Sequence, residues 1–195
     1  MANLKRDDLW SLEQYSTQRL QFRRDVMAHK KQRYVVIGEH ARLCFEDEKT
    51  IRYQIQEMLR IERIFEATDI QEELDTYNPL IPSGQNLKAT FMLEYDDIDE
   101  RKVMLQNLKG VEKKMWIQVG DHPRIVPICD EDLERENEEK TSSVHFMRFE
   151  FPSADIASLR AGESLNMGID SEFISPNQVT VGDPIKAALI ADFSA

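Results

Sequence analysis

The chain has 195 residues, 41% of them hydrophobic and 31% charged, with a formal net charge of −11. That length fits a single globular domain over residues 1–195, in which folding buries roughly 70% of the surface the unfolded chain exposes. The acidic balance argues against nucleic-acid binding, which needs a basic footprint; no run approaches the ~18 apolar residues of a membrane helix, and the opening MANLKRDDLW lacks a signal peptide's apolar core, so a cytoplasmic protein is expected.

Leu9, Leu12, Tyr15, Phe22 and Val26 predict a helix over about residues 7–30. Asp7 and Asp8 lie in its first turn and Lys30 and Lys31 at its end, as the helix dipole favours. Tyr34–Ile37 and Leu43–Phe45 read as strands of a hairpin around Gly38-Glu39. A strongly amphipathic helix begins near Thr50 and runs to Thr68-Asp69, where Asp69-Ile-Gln-Glu72 resembles a capping box opening a short helix. Asn78 precedes Pro79 and is expected to be extended.

Beyond Pro82 the spacing predicts a strand over 89–95, a helix over 97–108 closed by Gly110, and a strand pair, 115–119 and 124–128, around Gly120-Asp121. Val144–Phe151 alternates as a strand, with His145, Met147, Phe149 and Phe151 on its more apolar, core-facing side. A helix over 152–161, a strand over 165–169, and a strand and helix over 179–193 complete the chain. Adjacent strand pairs interleaved with helices indicate an α+β fold: a mainly antiparallel sheet, a long N-terminal helix and several packing helices.

Charge is unevenly placed. Arg19, Arg23, Arg24, His29, Lys30, Lys31 and Arg33 form a basic block, and DEDLERENEE at 130–139 holds seven acidic residues and one arginine. Each reads either as a solvated face or as a docking surface, the basic block for an anion or RNA and the acidic segment for a basic partner. Cys44 and Cys129 belong to no C-x-x-C pattern, so two reduced thiols are expected rather than a zinc or iron–sulfur site. No serine-hydrolase elbow, phosphate loop or dinucleotide fingerprint is present, and the sequence leaves the cofactor unknown.

The chemically suggestive stretch is the helix after Thr50. With Ile51 at zero and 100° per residue, Ile55, Met58, Leu59 and Phe65 define a buried face, and Glu62 and Glu66 fall inside it at about 20° and 60°. A carboxylate on an apolar face must be paired, hydrogen-bonded or cation-bound. Three readings follow: Glu62 pairs with Arg19 or Arg23 of the first helix, the helix end is solvated, or the two carboxylates are functional. In the last reading Glu62 or Glu66 is a metal ligand or general base, His145 a ligand or acid/base, and Arg60 an anion clamp. For His145 the competing reading is a buried, hydrogen-bonded histidine.

The segments His29-Lys-Lys31, Tyr53–Glu66, Tyr77-Asn-Pro-Leu-Ile-Pro82, Lys88-Ala-Thr90, Asp130–Thr141 and Val144-His-Phe146 resemble the domain-of-unknown-function family 3501. The resemblance spans roughly residues 4–170 and does not reach the part after Ser171. It carries no assigned activity and no catalytic residues. It implies a bacterial cytosolic protein encoded beside rubrerythrin-like and iron–sulfur redox proteins. On that basis the chain is expected to be an accessory protein of redox or iron metabolism that contacts a redox or iron–sulfur partner; the alternative is an enzyme built on the carboxylate/histidine site, with or without a metal.

Overall fold

The computed structural model describes residues 3–131 and 140–194. The acidic docking segment expected at 130–139 therefore lies, apart from Asp130 and Glu131, outside the described residues. The fold is α+β, with six α-helices and eight strands among those residues and all strand pairing antiparallel. The strands form two sheets rather than one. The first has the order β1 (Tyr34–Ile37), β2 (Ala41–Phe45), β3 (Asn86–Leu93), β6 (Val144–Glu150) and β5 (Ile128–Cys129). The second is β4 (Met115–Val119), β7 (Leu165–Ile169) and β8 (Gln178–Thr180).

Both sheets contribute to one apolar core. Leu43, Leu87, Phe91 and Phe149 from the first meet Met115, Ile117, Leu165 and Met167 from the second. Helices α4 (Ile98–Asn107), α5 (Ser153–Arg160) and α6 (Asp183–Ile190) add Leu105, Ile156, Leu159 and Leu189. A smaller core joins α2 (Glu48–Glu62) to α3 (Ala67–Tyr77) through Ile51, Ile55, Leu59, Ile70 and Leu74, with Leu4 and Leu12 packed against it. The long helix α1 (Leu12–Lys30) lies along α2, where Trp10, Tyr15, Phe22 and Tyr53 make edge and stacked ring contacts.

Several boundaries differ from expectation for identifiable reasons. Helix α1 starts at residue 12 because Ser11 and Gln14 form a reciprocal capping box, leaving Arg6–Asp8 as a separate 3-10 turn. Helix α2 is capped by Asp47 and Thr50 and stops at Glu62, where Arg63 takes the left-handed conformation at φ 56°. The chain then restarts as α3, so Ile61 and Phe65 point to solvent instead of extending the buried stripe. Residues 124–128 make only a single bridge, Ile117 to Ile125; Pro123 and Pro127 lack the N–H a ladder needs, and Ile128–Cys129 crosses instead to β6. Asn78 is helical rather than extended, at φ −54° and ψ −36°. Its buried amide accepts from the Leu4 N–H and donates to the Leu4 carbonyl, both at 2.9 Å, and this pair holds the 3-10 turn Asn78–Leu80 against the N-terminal segment.

The two cores are tied together by Arg33, whose side chain is 2% exposed. Its Nε donates to the Phe45 carbonyl at 2.9 Å and its Nη2 to the Glu46 carbonyl at 3.2 Å. The same guanidinium pairs with Asp192 just after α6 and lies 3.5 Å from the Asp47 carboxylate that caps α2. Asp47 also faces His29 Nε2 at 2.5 Å. Burial pushes the Asp47 carboxyl up, but Arg33, the Thr50 amide and His29 outweigh it and hold that carboxyl below the usual range. Asp192, where burial dominates, is held above it despite Arg33.

Removing a buried cation strands its partners. Arg33→Met is expected to cost about 3–5 kcal/mol in urea unfolding, whereas a loss below about 1 kcal/mol would show that the cluster ties little together.

Candidate functional site

Strand alternation gives the first sheet a core face and an open face. Leu87, Ala89, Phe91 and Leu93 of β3 and His145, Met147 and Phe149 of β6 take the core side. Lys88, Thr90, Phe146 and Arg148 take the other. Because Lys88 registers with Arg148 and Arg148 with Ile128, and the Glu46 amide bonds the Lys88 carbonyl at 2.8 Å, one cross-strand row reads Glu46, Lys88, Arg148, Ile128.

Helices α2 and α3 stand over this row and leave a cleft of about 550 Å³, within the range of small-ligand sites. Gln54, Asp75, Thr76, Tyr77 and Leu80 form its helical side, and Glu46, Lys88, Ile128, Phe146 and Arg148 its sheet side. The walls are mainly apolar, with charge concentrated on the row.

The charged residues are held differently. Glu46 is buried, and its two carboxylate oxygens accept from the hydroxyls of Thr90 at 2.7 Å and Thr50 at 2.6 Å. No cation lies within ion-pair distance of it among the described residues. Arg148 grips the Glu131 carboxylate with two parallel bonds of 2.8 and 2.7 Å and also pairs with Glu150. Those bonds hold the Glu131 carboxyl below its ordinary range. Among the described residues the Lys88 amine has a single polar partner, the Pro79 carbonyl at 2.5 Å. Burial, and next the positive charge of Arg148, depress the Lys88 ammonium pKa against the opposing pull of Glu131 and Glu150.

The residues singled out in the sequence lie elsewhere. Arg60, Glu62 and Glu66 are solvent-exposed at the corner between α2 and α3, because α2 ends at Glu62 before its apolar stripe can enclose them. Burial, and then the charges of Glu62 and Glu72, push the neighbouring Glu73 carboxyl up. The arginine expected to neutralise Glu62 instead serves Glu57: Arg19 forms two bonds of 2.7 and 2.8 Å to it, and the Tyr15 hydroxyl donates at 2.6 Å. His145 is fully buried on the core face, the side of the sheet away from α2 and α3. Its Nδ1 lies 2.6 Å from Asp130 Oδ2, and its Nε2 2.9 Å from the Thr141 hydroxyl and 3.1 Å from the Ser142 carbonyl oxygen. Arg60, Glu62 and Glu66 are thus near one another, and His145 is not brought to them. No group of three or more His, Cys, Asp or Glu side chains suited to a metal ion occurs among the described residues. Cys44 and Cys129 are free thiols, each pushed up to about 12 chiefly by burial.

Sequence reasoning missed Lys88, Glu46 and the His122 cluster. The local signal for the first is the alternation of β3, where Leu87, Ala89 and Phe91 take one side and leave Lys88 on the other; its partners across the sheet are not part of that signal. In the last, Asp155 and Ser158 of α5 flank His122 at 2.8 and 3.3 Å. The acid–base–hydroxyl order is that of a nucleophilic triad, but Ser158 sits inside α5, where main-chain amides serve the helix rather than a developing oxyanion.

Residues 3–193 match the family model described as Protein of unknown function (DUF3501), and the chain belongs to that family. The match extends past the reach of the resemblance noted above and takes in β8 and α6. A crystal structure of a Burkholderia pseudomallei K96243 protein of unknown function has 47% sequence identity and a TM-score of 0.92, covering 99% of this chain and 100% of that one. A search of the curated proteins gives no match. No helix among the described residues is long and apolar enough to cross a membrane.

The placements separate surface from architecture. Glu62→Gln and Glu66→Gln are expected to change unfolding free energy by less than about 0.5 kcal/mol, as exposed substitutions do. His145→Ala is expected to cost about 2–4 kcal/mol through a lost buried side chain and its hydrogen bonds. Equal effects in urea melts would contradict this division.

Proposed function

We propose that this member of the family is an accessory protein of bacterial redox or iron metabolism that works by binding a small ligand in the cleft beneath α2 and α3. The observation that carries the binding reading is the Glu46–Lys88–Arg148 row set in a mainly apolar cavity of about 550 Å³. Such a cavity takes the apolar body of a small molecule while a few fixed polar groups orient its head. Lys88, whose one amine partner among the described residues is the Pro79 carbonyl, has donors left for an incoming oxygen. The redox or iron setting, the cytosolic location and a redox or iron–sulfur protein partner follow from the company that the family resemblance implies. Of the acidic segment suggested as a docking surface, Asp130 and Glu131 are engaged internally, with His145 and Arg148, and the remainder lies outside the described residues.

Binding to the folded state alone stabilises it by about 2.7 kcal/mol at a hundredfold excess of ligand over Kd. For a chain of this size that is an increase in Tm of roughly 5–10 °C. A panel of small metabolites bearing carboxylate and carbonyl groups, screened by thermal unfolding, is expected to contain ligands that raise the Tm of the wild type and not of Lys88→Met/Arg148→Met. A panel in which every ligand acts equally on both proteins, or none acts, would overturn the cleft as the working site.

A further inference from the structure

We propose that Lys88 is a nucleophilic amine that condenses with a small aldehyde or ketone held in the cleft, an inference that rests on the cleft being the binding site. Lys88 lies mid-strand in β3, half-buried on the open face, with its side chain lining the cavity. No carboxylate stands within ion-pair distance of its amine among the described residues, and its nearest polar contact is a main-chain carbonyl. Its register partner on β6 is a like-charged guanidinium, which Glu131 and Glu150 hold in place. An amine taken from water and set beside a fixed cation favours its neutral, nucleophilic form, in line with the depressed pKa of this lysine.

The neighbour on the other side is Glu46. It is a buried carboxylate fastened by two threonine hydroxyls and without a cation of its own. Glu46 neighbours Lys88 across the strands, its amide bonding the Lys88 carbonyl, and its side chain lines the same cavity. In the condensation the amine lone pair forms a C–N bond to the carbonyl carbon, and the C=O π pair moves to oxygen. The oxygen takes up a proton and the nitrogen loses one, giving a carbinolamine. Loss of that oxygen as water leaves the C=N bond, so lysine amine plus carbonyl compound gives imine plus one water, with no oxidant or reductant. Glu46 is placed to pass these protons, and Leu80, Ile128 and Phe146 accept the apolar part of the substrate.

The test uses the full chain, pyruvate as probe and cyanoborohydride to reduce any imine, followed by peptide mass mapping. Lys88 is expected to be labelled faster than any other lysine of the chain, because its amine alone is set in the cavity beside a fixed cation. Lys88→Arg, which keeps charge and fold, is expected to lose that adduct, and Glu46→Gln to slow labelling about a hundredfold. An adduct spread over surface lysines, with Lys88 no faster than the rest, overturns the proposal, and an undiminished rate in Glu46→Gln overturns the role given to Glu46. Pyruvate added without reductant and followed by amide NMR separates the two claims. Shifts at Phe146 and Tyr77 with no Lys88 adduct sink the imine and leave the binding site standing; no shifts and no adduct sink both.

Discussion

The structure depends on a guanidinium kept out of water. Arg33 sits where β1 begins and gives its donors to the end of β2, to the carboxylate that caps α2, and to Asp192 beyond α6. A buried cation is costly unless its donors are used, so the segments that carry its acceptors are constrained to meet. One side chain thereby holds together the first sheet, the helical layer and the last helix of the chain.

The cleft is a consequence of that arrangement. Asp47 must start α2 beside the end of β2, and this leaves Glu46 on the sheet's open face, beneath the helix that follows it. The smaller apolar core fastens α3 to α2, and the Asn78–Leu4 amide pair fixes the turn that ends α3. Neither helix is drawn down onto the sheet by apolar contacts at the row itself, because Lys88 and Arg148 are long, charged and anchored to Pro79, Glu131 and Glu150. The gap between the layers is the space those side chains occupy and guard.

Much of the architecture was legible as periodicity. The alternation in Val144–Phe151 placed His145, Met147 and Phe149 toward the core, and the structure puts them there. The hairpin around Gly38, the strand 165–169 and the helix after Asp183 are likewise local signals, set by turn chemistry and apolar spacing. The site was legible only in part, because its parts are local and its assembly is not. A helical wheel assumes that the helix continues; Arg63 in the left-handed region ends α2 and turns Phe65 outward, so Glu62 and Glu66 never enter an apolar face. The expectation that an α1 arginine would meet an α2 carboxylate identified the right helices and Arg19, but the acid is Glu57, five residues earlier in the helix. The row of Glu46, Lys88 and Arg148 is set by strand register across residues more than forty positions apart, which no spacing within the chain discloses.

The most direct measurement of the account is the titration of Lys88, followed through the 13Cε resonances of the lysine side chains. Burial and the charge of Arg148 both disfavour the ammonium form, so Lys88 is predicted to lose its proton at lower pH than the exposed lysines. Arg148→Met removes the like charge and frees Glu131 and Glu150 to favour the cation, and is predicted to move that titration upward. A Lys88 resonance that titrates with the surface lysines, in wild type and variant alike, would contradict the cleft as an electrostatically prepared site.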